Sequence, residues 1–168
     1  MVNDFDDFAA KHKKEGDDRK RLAEEMGPEW VVLKGFVAAL AQDGKEFDGR
    51  KLEWSPDAEC LVLGDVAAYF LHRERNGKPQ DCLIRFDRRP APLGKHWHDE
   101  QSPLTPVAWS LEPTLVDDRF HWSITNVGVP RPDSSSADLS QKVGKKLAEY
   151  HLAYRKHYEG WSPAKITG

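Results

Sequence analysis

Val66-Ala67-Ala68-Tyr69-Phe70-Leu71-His72-Arg73-Glu74, then Arg75-Asn76-Gly77-Lys78-Pro79-Gln80, then Asp81-Cys82-Leu83-Ile84-Arg85-Phe86-Asp87-Arg88 is the stretch that decides the fold. Two strand-like segments flank a loop containing Asn-Gly, a dipeptide that readily takes the left-handed backbone of a tight hairpin turn. In the second segment Cys82, Ile84 and Phe86 alternate with Leu83, Arg85 and Asp87, so one face is apolar and the other turns polar toward the end. This pattern predicts an antiparallel hairpin with one face on a core and one face partly open.

The same period continues on both sides. Residues 51–54 and 59–63 are strand candidates joined by a Ser55-Pro56-Asp57 turn, and Gly64-Asp65 marks a bulge or tight turn before the hairpin. Downstream, residues 107–112 and 119–126 alternate well, with Val107, Trp109, Leu111, Phe120, Trp122 and Ile124 on one side. Ser110, Glu112, His121, Ser123 and Thr125 fall on the other, and Pro113 with Asp117-Asp118 is expected in the connection. Between the two groups of strands lies a Pro-rich loop, residues 89–106, with Pro90, Pro92, Pro103 and Pro106. An irregular segment of that length is often functional.

Helical periodicity takes over outside the strands. Residues 1–26 read as a charged helical arm capped by Asn3 or Asp4, apolar only near its ends at Phe5, Phe8, Ala9, Leu22, Ala23 and Met26. Gly27-Pro28 reads as a stop and restart, followed by an amphipathic helix over residues 28–42 with Trp30, Leu33, Val37 and Leu40 on its apolar face. A last helix over residues 135–160 opens at Ser135, with Asp138 three residues on, and carries Leu139, Val143, Leu147, Tyr150, Tyr154 and Tyr158 at helical spacing. The expected architecture is one α+β domain over residues 1–168. It has an antiparallel sheet of about five or six strands, two N-terminal helices and one long C-terminal helix, with the helices mainly on one sheet face.

Composition narrows the classes of function. The chain has 168 residues, 39% hydrophobic and 32% charged, with six Trp and seven Phe, which is neither a membrane-protein nor a disordered composition. A formal net charge of −3 lacks the basic footprint of a nucleic-acid binder. The acidic N-terminus is unlike a signal or transit peptide, so a cytoplasmic protein with no membrane partner is expected. Cys60 and Cys82 read as two buried thiols.

Four constellations compete as sites. His96 and His98, two residues apart around Trp97, point the same way if extended and present two imidazoles to one metal, with Asp99, Glu100, His72 or His121 as a third ligand. A polar loop with Trp97 tucked against the domain is the plainer account, so no metal and no cofactor is expected. The polar strand face gathers Arg85, Asp87, Ser110, Glu112, His121, Ser123 and Thr125, where His121 and Glu112 are the acid–base candidates. An ordinary solvated face with cross-strand pairs competes with that. The tyrosines of the last helix, with His151 and His157, suit a ligand groove less well than core packing. Finally, the charged arm presents Phe5 and Phe8 to a second chain, or is merely solvated.

Phosphate loops, nucleophile elbows and Cys-x-x-Cys pairs are absent from the sequence. The expectation is therefore a non-catalytic binding or interaction module that contacts a small molecule or protein. Its contact surface would be the open sheet face and the Pro-rich loop, including Arg85, Asp87, Trp97, Ser123 and Thr125, and it would form a homodimer through the N-terminal helix. The alternative is a small hydrolase or isomerase using a His/carboxylate pair or a His-bound metal in a sheet-lined pocket.

Overall fold

Residues 3–89, 104–127 and 133–158 are described by the computed structural model. They form helix α1 (Asp4–Gln42), strands β1 (Glu46–Phe47), β2 (Arg50–Ser55), β3 (Cys60–Leu63), β4 (Val66–Arg75), β5 (Lys78–Arg88), β6 (Val107–Val116), β7 (Arg119–Ile124) and β8 (Asp133–Ser134), and helix α2 (Ser136–Tyr158). The strands make one antiparallel sheet whose spatial order follows chain order from β1 to β8. The fold is α+β.

The deciding hairpin forms as its sequence requires. Asn76 and Gly77 both have positive φ, 55° and 75°, between the paired Arg75 and Lys78, so the expected six-residue loop shrinks to a two-residue turn. Asp48-Gly49 repeats the device between β1 and β2, with φ of 54° and 73°. Asp117 and Asp118 do so between β6 and β7, at 50° and 61°. The β6 strand therefore runs to Val116 and includes Pro113, which the sequence pattern places in a connection. Pairing with β5 stops at Ser110, so Pro113 sits where β6 has a neighbour only on the β7 side and its missing N–H breaks no second ladder.

The six expected strands are joined by β1 and β8, each two residues long and too short to carry a period. A larger correction concerns α1. The two expected N-terminal helices are one helix of 39 residues with Pro28 inside it. Packing on both sides of the proline explains this. Before it, Arg21 bonds Asp118 at 2.7 Å and Met26 packs on the core, and after it Trp30, Leu33, Val37 and Leu40 are buried. Pro28 and Glu24 are both exposed, so the carbonyl that loses its helical N–H partner lies at the solvent side. Gly27 lies against Pro79 of β5 rather than ending a helix.

Helix caps follow the sequence. The Asn3 side chain accepts the Phe5 N–H at 3.0 Å, Gly44 takes φ +67° beyond the C-terminus, and Ser135 Oγ accepts the Asp138 N–H at 3.2 Å at the start of α2. One main core joins both helices to the inner sheet face. It comprises Trp30, Leu33 and Val37 of α1, the inward residues of β3 to β7, and Leu139, Val143, Leu147 and Tyr150 of α2. Cys82 lies in this core, while Cys60 lies in a separate outer cluster with Val62, Ala67 and Tyr69. With β4 between their strands and opposite faces occupied, the two thiols are free.

Candidate functional site

Strand register brings the polar residues predicted for one face onto the outer side of the sheet. Arg85 lies across from Tyr69 and Ala108, Asp87 across from Ala67, Glu112 across from Ser123, and His121 across from Thr114. Over β3 to β5 this face is not simply polar, because Cys60, Val62, Ala67 and Tyr69 are buried beside Arg85 and Asp87. Asp87 is only 4% exposed and is fully engaged: Arg85 approaches it at 3.1 Å and the Arg88 N–H donates to it at 2.7 Å. That geometry suits a structural ion pair at a strand end.

The polar half, over β6 and β7, is organised by backbone substitution. Asn126 accepts the Ser110 N–H at 2.9 Å and donates to the Ala108 carbonyl at 2.6 Å, so its amide extends the ladder past the end of β7. Thr125 donates its hydroxyl to the Ser110 carbonyl at 3.3 Å, and Ser123 is buried. His121 and Glu112 sit on adjacent strands of this face but make no ion pair with each other. The His121 Nδ1 instead donates to the Arg119 carbonyl at 3.1 Å. The structure brings these residues onto one surface without joining them into an acid–base unit.

A His–carboxylate pair does form elsewhere. His151 of α2, 2% exposed, has Nε2 at 3.0 Å from Asp48 Oδ2, and Arg155 one turn later bonds the same oxygen. Asp48 reaches α2 because the left-handed Asp48-Gly49 turn folds β1 back over the helix, and Phe47 meets the His151 ring edge-on at 6.2 Å. The Arg155 hydrogen bond, and then that of His151, hold the Asp48 carboxyl below the usual carboxylate range. The other ring nitrogen, Nδ1, is buried without a partner and faces Gly64. A histidine with one nitrogen spent on a carboxylate and the other closed off has none left for a substrate. This unit fastens the β1–β2 turn to α2.

Two further polar units fasten the helices. Trp122, fully buried, donates its indole N–H to Ser136 Oγ at 3.0 Å, and Ser136 donates to Glu29 at 2.7 Å, linking β7, α2 and α1. Trp30 donates to His72 Nδ1 at 3.2 Å, which requires the tautomer with the proton on Nε2. Tyr150 is core, with its hydroxyl donating to the Thr105 carbonyl at 3.2 Å. Burial pushes the Cys60 thiol up, and pushes that of Cys82 up to about 12.

His96, Trp97 and His98 lie outside the described residues, as does most of the Pro-rich loop. Among the described residues no group of three His, Cys, Asp or Glu side chains is placed to hold a metal ion. No helix among them is long and apolar enough to cross a membrane.

Among the described residues the least covered surface is the start of α1. From Asn3 to Glu15 every residue is exposed, with Phe5 at 70% and Phe8 at 69%. These residues continue the helical stripe that becomes Trp30, Leu33, Val37 and Leu40 in the body, so about three turns of helix project with their apolar edge bare. Phe8 stacks on His12 at 6.2 Å, one turn along the same edge. No family model matches this chain, and neither a curated protein nor a solved structure matches it.

Proposed function

We propose that this protein is a non-catalytic interaction module that pairs with a second copy of itself through the free first turns of α1. The observation that carries this reading is the exposure of Phe5 and Phe8 on the first turns of α1, residues 3–15, which no other described element covers. Each phenylalanine left in water forgoes roughly 1.5–3 kcal/mol that full burial against a partner would supply.

Charge favours a second copy as that partner. The arm is acidic in its first turn, at Asp4, Asp6 and Asp7, and basic two turns later, at Lys11, Lys13 and Lys14. Two arms crossing antiparallel over Ala9 and Ala10 set each acidic turn against the other's basic turn, and the small alanines permit close approach. Such a contact buries less than the roughly 1,000 Å² of a stable interface, so the association is weak and concentration-dependent.

In this proposal the outer sheet face around Arg85 and Thr125, and the Pro-rich segment carrying Trp97, serve as contacts for another partner, while Asp87 and Ser123, both buried, take no part. The enzyme reading has less support, because the unpartnered Nδ1 of the His151–Asp48 pair is buried out of reach and His121 is not paired with Glu112. Sedimentation equilibrium over a wide concentration range tests the arm. Phe5→Ser with Phe8→Ser is expected to weaken self-association at least about tenfold while leaving the melting temperature unchanged. A native chain that stays monomeric throughout refutes the proposal, as does a variant that associates equally well.

A further inference from the structure

We propose that the cleft between α2 and strands β6 and β7 is a binding site for a small amphipathic anion, an apolar body carrying one carboxylate. The cleft has a volume of about 390 Å³ and is lined by Trp109, Ile124 and Val127 below and by Lys142, Lys145, Lys146 and Glu149 above. That size lies within the range of small-molecule sites.

Its two layers differ in chemistry. The floor is apolar and rigid: Trp109 is packed edge-on against Phe86 with ring centroids 4.9 Å apart, and Ile124 belongs to the main core. The rim is a single face of α2, because positions 142, 145, 146 and 149 recur at helical spacing of three and four. Three ammonium groups against one carboxylate leave the rim with a local excess of two positive charges, on a chain whose formal net charge is −3.

None of the three lysines has an ion-pair partner among the described residues. Lys142 is held in place by donating to Ser134 Oγ, and the ammonium groups of Lys145 and Lys146 are left for a ligand. A purely apolar ligand would leave those charges unanswered, and a small hydrophilic anion would leave the floor wet. A ligand that satisfies both layers has an apolar tail of modest length and one anionic head.

Decanoate serves as the probe, with decanol and acetate as its separated halves. Binding is followed by NMR through the indole N–H cross-peak of Trp109, assigned by its loss in Trp109→Phe. Decanoate is expected to shift that peak saturably, and decanol and acetate to bind at least about tenfold more weakly. Replacing Lys142, Lys145 and Lys146 together with Gln is expected to weaken decanoate roughly tenfold and to leave decanol binding and the far-UV circular dichroism unchanged. The proposal is overturned if decanoate leaves the Trp109 peak in place, if the triple variant binds decanoate as well as the native chain, or if decanol binds equally tightly. Because the cleft lies away from the arm, the arm variant Phe5→Ser/Phe8→Ser is expected to bind decanoate normally.

Discussion

Replacing Gly64 with alanine is expected to destabilise the protein by about 2–3 kcal/mol. Gly64 opens the two-residue turn between β3 and β4 and has φ +59°. A left-handed conformation costs an L-residue about 1–2 kcal/mol. The added Cβ would also meet Cε1 of His151 at 3.2 Å and Nδ1 at 3.4 Å. That ring cannot easily retreat, because Nε2 is tied to Asp48 at 3.0 Å and Phe47 abuts its edge. Squeezing a packed interior adds about another 1 kcal/mol or more. For a chain of this size the sum lowers the melting temperature by about 4–12 °C.

Thermal unfolding followed by far-UV circular dichroism measures the effect, and a second glycine supplies the control. Gly27 lies inside α1, and its added Cβ would meet Pro79 at 3.5 Å, an ordinary contact. Gly27→Ala is therefore expected to stabilise by about 0.5–1 kcal/mol through helix propensity alone. Adding His151→Ala to Gly64→Ala removes the squeeze but not the backbone strain, so the double variant loses less than the two single losses combined. If Gly64→Ala melts with the native chain, the close fastening of the β3–β4 turn to α2 is wrong.

Three other outcomes follow from the same geometry. Ser136→Ala leaves the buried Trp122 indole N–H without its acceptor and Glu29 without its donor, for an expected loss of about 1–3 kcal/mol in urea unfolding with an unchanged slope. Asp48 has a folded-state pKa below its unfolded one, so its contribution is present above the unfolded value and lost as pH falls through the folded value. Below about pH 4 the melting temperature of the native chain should then fall more steeply than that of Asp48→Asn. Cys82, with its thiol pushed up to about 12 by burial, is expected to resist iodoacetamide at mildly alkaline pH in the folded chain and to react once unfolded; rapid alkylation of the folded protein would contradict its placement under the sheet.

The strands were legible because alternation is a local signal. Cys82, Ile84 and Phe86 face the core as their spacing required, and Asn76-Gly77 makes the turn that its backbone preference favours. Pro28 and Pro113 mislead for one shared reason: proline weakens a segment intrinsically, but packing across α1 and the free side of β6 override it. The strands β1 and β8 carry two residues each and no period to read.

For the sites, period placed His121, Glu112, Ser123 and Arg85 on one face, while their partners depended on register that turns set. The His151–Asp48 pair joins positions 103 residues apart and left no local trace. The lysine cleft is not legible in the sequence, because the apolar floor that faces Lys142, Lys145 and Lys146 comes from two distant strands.

Self-association through the arm is tested most directly by splitting its charge pattern between two chains. One carries Lys11→Glu, Lys13→Glu and Lys14→Glu, so both turns are acidic; the other carries Asp4→Lys, Asp6→Lys and Asp7→Lys, so both are basic. Sedimentation equilibrium is expected to find the native chain in a monomer–dimer equilibrium, each variant alone monomeric, and their equimolar mixture a heterodimer tighter than the native pair. A native chain that is monomeric at every concentration, or a mixture that stays monomeric, would contradict it.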